Sequence, residues 1–391
     1  MNALGQRLKR LRLARGLSLE ALAAEMGGIV TKQSLSKYEQ DKAHPSAKVL
    51  NRLASVLGVK AANLYGEPEV LVKFLAYRKA TKLSKKSQER LESAIATDLE
   101  ARVQLQEKIS PGTRADVPVQ RFRIESLADA ETAAESLRAQ WNLGLDPIAS
   151  LVAVLEDRYI YVFDIDAEDS FDGISAIAYS KEQELVAAAT IARTGIAGER
   201  QRLNLAHELG HLVLDVSSDL DEEKAAFRFG AAFLAPAELV RQEIGLKRTV
   251  VDFGELLSIK QLMGMSLQAL VYRLKDLNII SSYQYRSCCI EINRRGWKRR
   301  EPEELPAEQP QWLRRNVLRA IAEGLIARDE AECLLKESIH EDLPPSLVRR
   351  RAFMRLPLSE RKRLLETQAD GMTDYYEEDS EWREHSGGKF Y

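Results

Sequence analysis

A mainly α-helical fold with a small α+β domain is predicted for this chain by three observations. Residues 3 to 66 repeat apolar positions at spacings of three and four, RYIYVFDID, DGISAIAYS and ELVAAATIA are strand-like runs separated by turn signals, and helical periodicity returns from the AHELGHLVLD segment onward. The 391 residues, with 57 Lys+Arg against 59 Asp+Glu and 45% hydrophobic side chains, are enough for two or three domains with buried cores. No run approaches the roughly 18 uninterrupted apolar residues of a membrane span. The amino terminus, MNALGQRLKRLRLARG, is charged where a signal peptide is apolar. The expectation is therefore a cytoplasmic protein with no membrane partner. Cys288, Cys289 and Cys333, an odd number with two adjacent, encode neither a disulfide framework nor a cysteine-based zinc site.

The first 66 residues justify five short helices. Leu8 and Leu11, then Leu19, Leu22 and Ala23, then Leu35 and Tyr38, then Val49, Leu50, Leu53 and Leu57 mark the apolar faces. Ser18 and Ser46 stand as N-caps, and Gly16 and Gly58 as stops. This stretch holds 11 Lys+Arg and 4 Asp+Glu, a local charge of +7 that suits a polyanion. SLEALAAEMGG followed by TKQSLSKYEQDK can form a helix-turn-helix with Leu35 and Tyr38 turned inward and Thr31 capping the second helix. Thr31, Lys32, Gln33, Ser34 and Lys37 then face out as candidate contacts to base edges and phosphates of double-stranded DNA. A five-helix module serving protein binding or dimerisation is the competing reading, and the positive charge favours DNA. Residues 67–114 contain no Gly or Pro between Pro68 and Ser110 and alternate charged with apolar residues, which predicts a helical linker or dimerisation arm.

Ser110, Pro111, Gly112 and Thr113 break that pattern, so a second domain is expected over residues 115–285. Helices are predicted over 129–143 and 147–156, then the three strands, a helix holding HELGH, another over 222–234 and two short ones within 252–278. His207 and His211 stand four apart in an apolar helix, so both imidazoles project from one face and can grip one ion. Glu208 lies one residue round the helix, placed to act as general base on a water beside the ion without ligating it. A buried helix with two satisfied histidines is the bland alternative. A catalytic zinc usually takes three protein ligands, and Asp215, Asp219, Asp221, Glu222 and Glu223 are the acids within reach downstream. Ala226, Gly230 and Ala231 could let the following helix pack closely on the HELGH helix.

These residues resemble the ImmA/IrrE family of metallopeptidases. GERQRLNLAHELGH and EKAAFRFGAAFLAP are similar to that family's R-F-T-x-A-H-E-L-G-H and E-x-x-A-x-x-F-A-x-x-L-L-x-P, and the likeness extends from about Leu127 to Ser281, roughly 155 residues. The resemblance implies that Glu223 is the third ligand, standing three before Ala226, six before Phe229 and thirteen before Pro236. It also implies a zincin-like domain, a single Zn²⁺ and regulatory cleavage of a protein substrate. Arg202 matches the arginine ahead of the family's motif, while Leu203, Gly230 and Ala235 depart from its usual Phe, Ala and Met. Residues 6 to 65 resemble the XRE (Cro/cI-like) DNA-binding domains through S-L-x-x-L-A, S-x-Y-E, P-S and L-x-x-L-A-x-x-L-G-V. On that likeness Glu39 is a structural acid, and the GGIVT turn is longer than usual.

The remaining residues, 286–391, are predicted to be a helical carboxy-terminal extension with an acidic tail. Gly296 to Pro310 is expected to be a linker, helices are expected near 311–324, 328–337 and 358–370, and Asp374 to Glu384 carries six carboxylates and one Arg. The last 43 residues are similar to short antitoxin-like segments. Together these readings predict a regulator that sits on a DNA operator as a homodimer on a palindromic site. Its peptidase domain is expected to cleave a repressor or antitoxin. The alternative is a non-proteolytic repressor or antitoxin, partnered with a toxin, whose zinc site is structural or sensing.

Overall fold

Helices in the amino-terminal region begin where a hydroxyl can cap them. In the computed structural model, which describes residues 3–65, 70–75, 84–112, 118–165, 173–339, 353–354, 356–363 and 365–366, Ser18, Thr31 and Ser46 accept from the backbone N–H groups of Ala21, Ser34 and Val49. The result is α1 (Ala3–Ala14), α2 (Leu19–Glu25), α3 (Lys32–Glu39), α4 (Ala47–Leu57) and α5 (Ala62–Tyr65). Leu8, Leu22, Met26, Leu35, Leu53 and Leu64 close their shared core, with Tyr38 packed against it. The long turn between α2 and α3 relies on Gly27 and Gly28, both left-handed at φ 72° and 75°, a conformation side chains resist. Glu39 locks this module by a bidentate pair with the Arg12 guanidinium, at 2.6 and 2.8 Å.

The stretch predicted as a helical linker is corrected in its first part. Val70–Leu75 is a strand, β1, and only α6 (Lys85–Ile109) is helical. The reason is a distant partner: V-L-V-K-F-L is rich in β-branched and aromatic residues, and a sheet edge is available to it about a hundred residues later in the chain. Helix α6 then lies between the amino-terminal helices and the sheet. The buried Glu100 carboxylate on it takes both Arg7 and Arg10 of α1, and its other side lies along the sheet.

That sheet has the order β1-β4-β5-β3, with β3 (Ile160–Ile165), β4 (Ile174–Ser180) and β5 (Leu185–Arg193) where the three strand-like runs were expected. β3 and β5 are parallel and the other pairs antiparallel. Alternation along β3 separates the faces. Tyr161 donates its hydroxyl to Gln106 of α6 at 2.7 Å, whereas Ile160 and Val162 join the core that contains Leu205 and Leu209. A sheet covered on both sides explains why β4 and β5 are apolar nearly throughout.

The opposite face is packed by α8 (Leu151–Glu156) and α9 (Gly198–Val213), with α10 (Glu222–Leu234) lying on α9 and α7 (Leu127–Gln140) on α10. Strands β2 (Phe122–Ile124) and β6 (Leu214–Val216), not anticipated, pair in parallel beside them. Helices α11 (Ala237–Ile244), α12 (Phe253–Met263), α13 (Leu267–Asp276), α14 (Ser282–Arg294), α15 (Trp312–Ala322) and α16 (Arg328–Leu335) complete residues 1–336.

A second correction concerns Gly296 to Pro310. It is not a free linker but a strap fastened by its own acids. Glu301 pairs with the fully buried Lys260, Glu308 pairs with Arg202, and the Leu305 carbonyl accepts from the N–H of Gly198 at the start of α9. In the separate unit 337–391, residues 358–363 and 365–366 are helical. The acidic tail and residues 367–391 of the antitoxin-like segment lie outside the described residues. No helix among the described residues is long and apolar enough to cross a membrane.

Candidate metal centre

Two backbone approaches decide the geometry. Helix α10 crosses α9 so closely that a Cβ on Gly230 would meet the His207 backbone nitrogen at 2.9 Å, and one on Gly210 would meet Ala226 at 3.1 Å. With Ala at both places the helices would stand further apart. The close crossing brings the first turn of α10 beneath the two histidines.

Of the five acids left open by spacing, the structure assigns each a different place. Asp215 pairs with Arg123 at 3.0 Å, Asp219 lies beside the Ser218 hydroxyl at 3.4 Å, and Asp221 caps α10 through the Lys224 N–H at 3.3 Å. Glu222 reaches the far ring nitrogen of His211, Nδ1, at 3.2 Å. Glu223 faces both imidazoles, at 3.5 Å from His207 Nε2 and 3.6 Å from His211 Nε2, and the two Nε2 atoms are 3.1 Å apart.

These three groups, two buried histidines and a partly exposed Glu223, form a donor set able to hold a metal ion. Ligands at about 2.0–2.1 Å from a tetrahedral zinc stand roughly 3.3 Å from one another, so the observed separations fit such an ion. The chemistry fits too. Three lone-pair donors aimed at one point repel each other unless a cation or proton lies between them, and burial makes the repulsion stronger. Glu222 stands where an outer partner orienting a metal-binding histidine would stand. Among the described residues His207 Nδ1 has no hydrogen-bond partner; its ring instead lies 4.0 Å from that of the half-exposed Phe227.

Glu208 does not join the donor set. It is buried against β4, where the fully buried Ser175 hydroxyl lies 2.6 Å from its Oε2 and 2.9 Å from its backbone oxygen. Gly173, just before β4, fits against the same carboxylate: a Cβ there would stand 2.7 Å from Oε1. Neither residue was legible beforehand, because nothing in DGISAIAYS marks a contact to a helix more than thirty residues away. The Ser175 bond predicts a measurable role. Ser175→Ala should lower the turnover of any cleavage reaction about tenfold or more while leaving KM nearly unchanged, the loss expected for a hydrogen bond to a charged group.

Arg202 is a fastener rather than a ligand neighbour. Its guanidinium takes Glu308 and donates to the Ile148 carbonyl at 2.6 Å, fixing the first half of α9. On the amino-terminal module, Lys32, Gln33 and Lys37 are exposed on α3 as expected. Thr31 and Ser34 are engaged with each other at the cap, their hydroxyls 3.1 Å apart, and Lys32 pairs with Glu20.

Comparison with known families finds a match over each of these two regions. Residues 8–64 match the helix-turn-helix family HTH_3, and residues 197–275 match the IrrE N-terminal-like domain, Peptidase_M78. The chain thus carries an XRE-type DNA-binding domain and a domain of the ImmA/IrrE metallopeptidase family. Among curated proteins it is similar to the SPbeta prophage-derived uncharacterized HTH-type transcriptional regulator YonR of Bacillus subtilis, with 42% identity over 55 residues, 14% of this chain and 49% of that protein. It is also similar to the HTH-type transcriptional regulator PuuR of Escherichia coli, with 39% identity over 65 residues, 17% of this chain and 34% of that protein. The chain therefore spans half or less of the length of these relatives.

Proposed function

We propose that this chain is a cytoplasmic, DNA-bound transcription regulator whose zinc-dependent peptidase domain cleaves a regulatory protein, a repressor or an antitoxin. The observation that carries the reading is the convergence of His207, His211 and Glu223, with Glu208 next to His207 on α9 and its carboxylate fixed by Ser175.

Among the described residues the donor set has three members, the number a catalytic zinc would take, whereas a structural zinc is closed by four. Zinc in that place supplies a Lewis acid for the scissile carbonyl and the attacking water. Glu208 takes the water's proton on its carboxylate and returns it to the leaving amine. Ser175 and Gly173 keep that carboxylate in one orientation, and Phe227 shields the His207 side of the centre from solvent. A purely structural site would give no reason to build β4 around Glu208, which favours catalysis over the non-proteolytic alternative. The test is digestion of a proteome-derived peptide library, read by mass spectrometry. New termini should appear with zinc and vanish with a chelator; a library left intact by zinc-loaded protein, both as wild type and with Val72→Pro and Lys73→Pro loosening β1, would sink the reading.

For the DNA-binding half, α3 is the reading helix. Gln33→Ala should weaken binding to the cognate operator by about 1–3 kcal/mol without changing non-specific binding. Lys37→Ala should weaken all DNA binding alike and reduce the salt slope by about one. Titrations over a range of salt concentrations separate the two outcomes.

A further inference from the structure

The strand that shapes the pocket for Glu208 is also the strand to which β1 is added. β1 and β4 are antiparallel over six residue pairs, from Val70 opposite Ser180 to Leu75 opposite Ser175. Paired residues point to the same face, so Leu75 stands on the α9 side, next to the residue whose hydroxyl holds Glu208, and packs on the core there. One strand spacing, roughly 4.8 Å, separates the two backbones.

β1 is held more loosely than its neighbours. Only Val70 is buried; Leu71 and Lys73 are exposed, and Val72, Phe74 and Leu75 are partly covered. In β4 and β5, by contrast, Ile174–Ala178 and Ala187–Ala192 are buried without a break. β1 is thus an outer strand that makes a full backbone ladder with little side-chain anchorage, the balance found when an extended peptide adds to a sheet edge. Its residues come from the stretch between the DNA-binding module and α6, far in sequence from the strands it joins.

We infer that the β4 edge is a peptide-docking track leading to Glu208, and that the chain's own β1 occupies it as an intramolecular peptide. The partner that fits is an extended segment of the same pattern. It offers a row of β-branched or aromatic residues to the α6 face and a large apolar residue opposite Ser175. An attached strand competes at an effective concentration in the millimolar range, so a free peptide gains access only when β1 is released. The inference rests on the peptidase reading for what the docked peptide is for, but not for whether it docks.

The experiment uses the full chain with Glu208→Gln, so that binding is read whether or not the wild type cleaves. The probe is a fluorescent peptide with the sequence of residues 70–75. Val72→Pro together with Lys73→Pro removes at least one ladder hydrogen bond, because alternate N–H groups point at β4. That variant should bind the probe at least tenfold more tightly than its parent and gain hydrogen-exchange protection over Ile174–Ser180. In the parent, β1 amides should exchange by a local opening that leaves β5 protected. Exchange of β1 only together with β5 would make β1 an integral core strand and overturn the inference. So would a cooperatively folding variant that binds the probe no better than its parent.

Discussion

Glu208→Gln should abolish cleavage while leaving the metal in place. The amide keeps the volume of the carboxylate and can still meet Ser175, but it cannot accept the water's proton, and general-base groups of this kind contribute about 10²–10⁴-fold. The donor set of His207, His211 and Glu223 is unchanged by the substitution, so zinc content should match the wild type. Single-turnover assays on a peptide found in the library digestion, with elemental analysis of the same sample, give both numbers. A Gln variant that cleaves at the wild-type rate would remove Glu208 from the mechanism.

Lys260→Met should destabilise the peptidase body more than any surface change. Lys260 is fully buried between Glu199 and Glu301, its Nζ 2.7 and 3.0 Å from their carboxylates, and the Glu301 carboxylate also accepts from the Leu267 N–H. Removing the cation leaves two buried or nearly buried anions unpaired, which costs about 3–5 kcal/mol. For a body of this size that is a fall in Tm on the order of 10 °C, read by calorimetry. Burial works to lower the pKa of Lys260, but Glu199 and Glu301 outweigh it and hold the amine above its ordinary value of 10.5. Its contribution to stability is therefore complete below that value and is lost as pH rises through the higher folded-state value. A Tm unchanged in Lys260→Met would mean that the strap from Glu301 to Glu308 does not hold the domain.

The contrast between what was legible and what was not follows the range of the interactions. His207, Glu208 and His211 lie on one helix, so their mutual placement is local and appears in the spacing alone. Capping by Ser18, Thr31 and Ser46 is local too, as is the helix predicted over 222–234, which α10 matches. Spacing alone could not select the third donor from five acids. The choice depends on how α10 crosses α9, which the missing Cβ atoms of Gly210 and Gly230 permit; the family likeness singled out Glu223 for that place. Ser175 was invisible for the same reason, since its role exists only when β4 meets α9. The pattern of β1 reads as helix because its strand character depends on β4, about a hundred residues away. The strap reads as a linker because Pro and Glu are typical of solvated segments, while Glu301 and Glu308 have buried cations as partners.

The central claim is that one zinc is held by His207, His211 and Glu223. Its most direct test is the metal content of the full chain by elemental analysis, with wild type, His207→Ala and Glu223→Ala purified identically and resupplied with zinc. The account predicts close to one zinc per chain in the wild type and loss in both variants, with cooperative unfolding retained. Zinc held undiminished by Glu223→Ala, or a wild type that binds none, would contradict it.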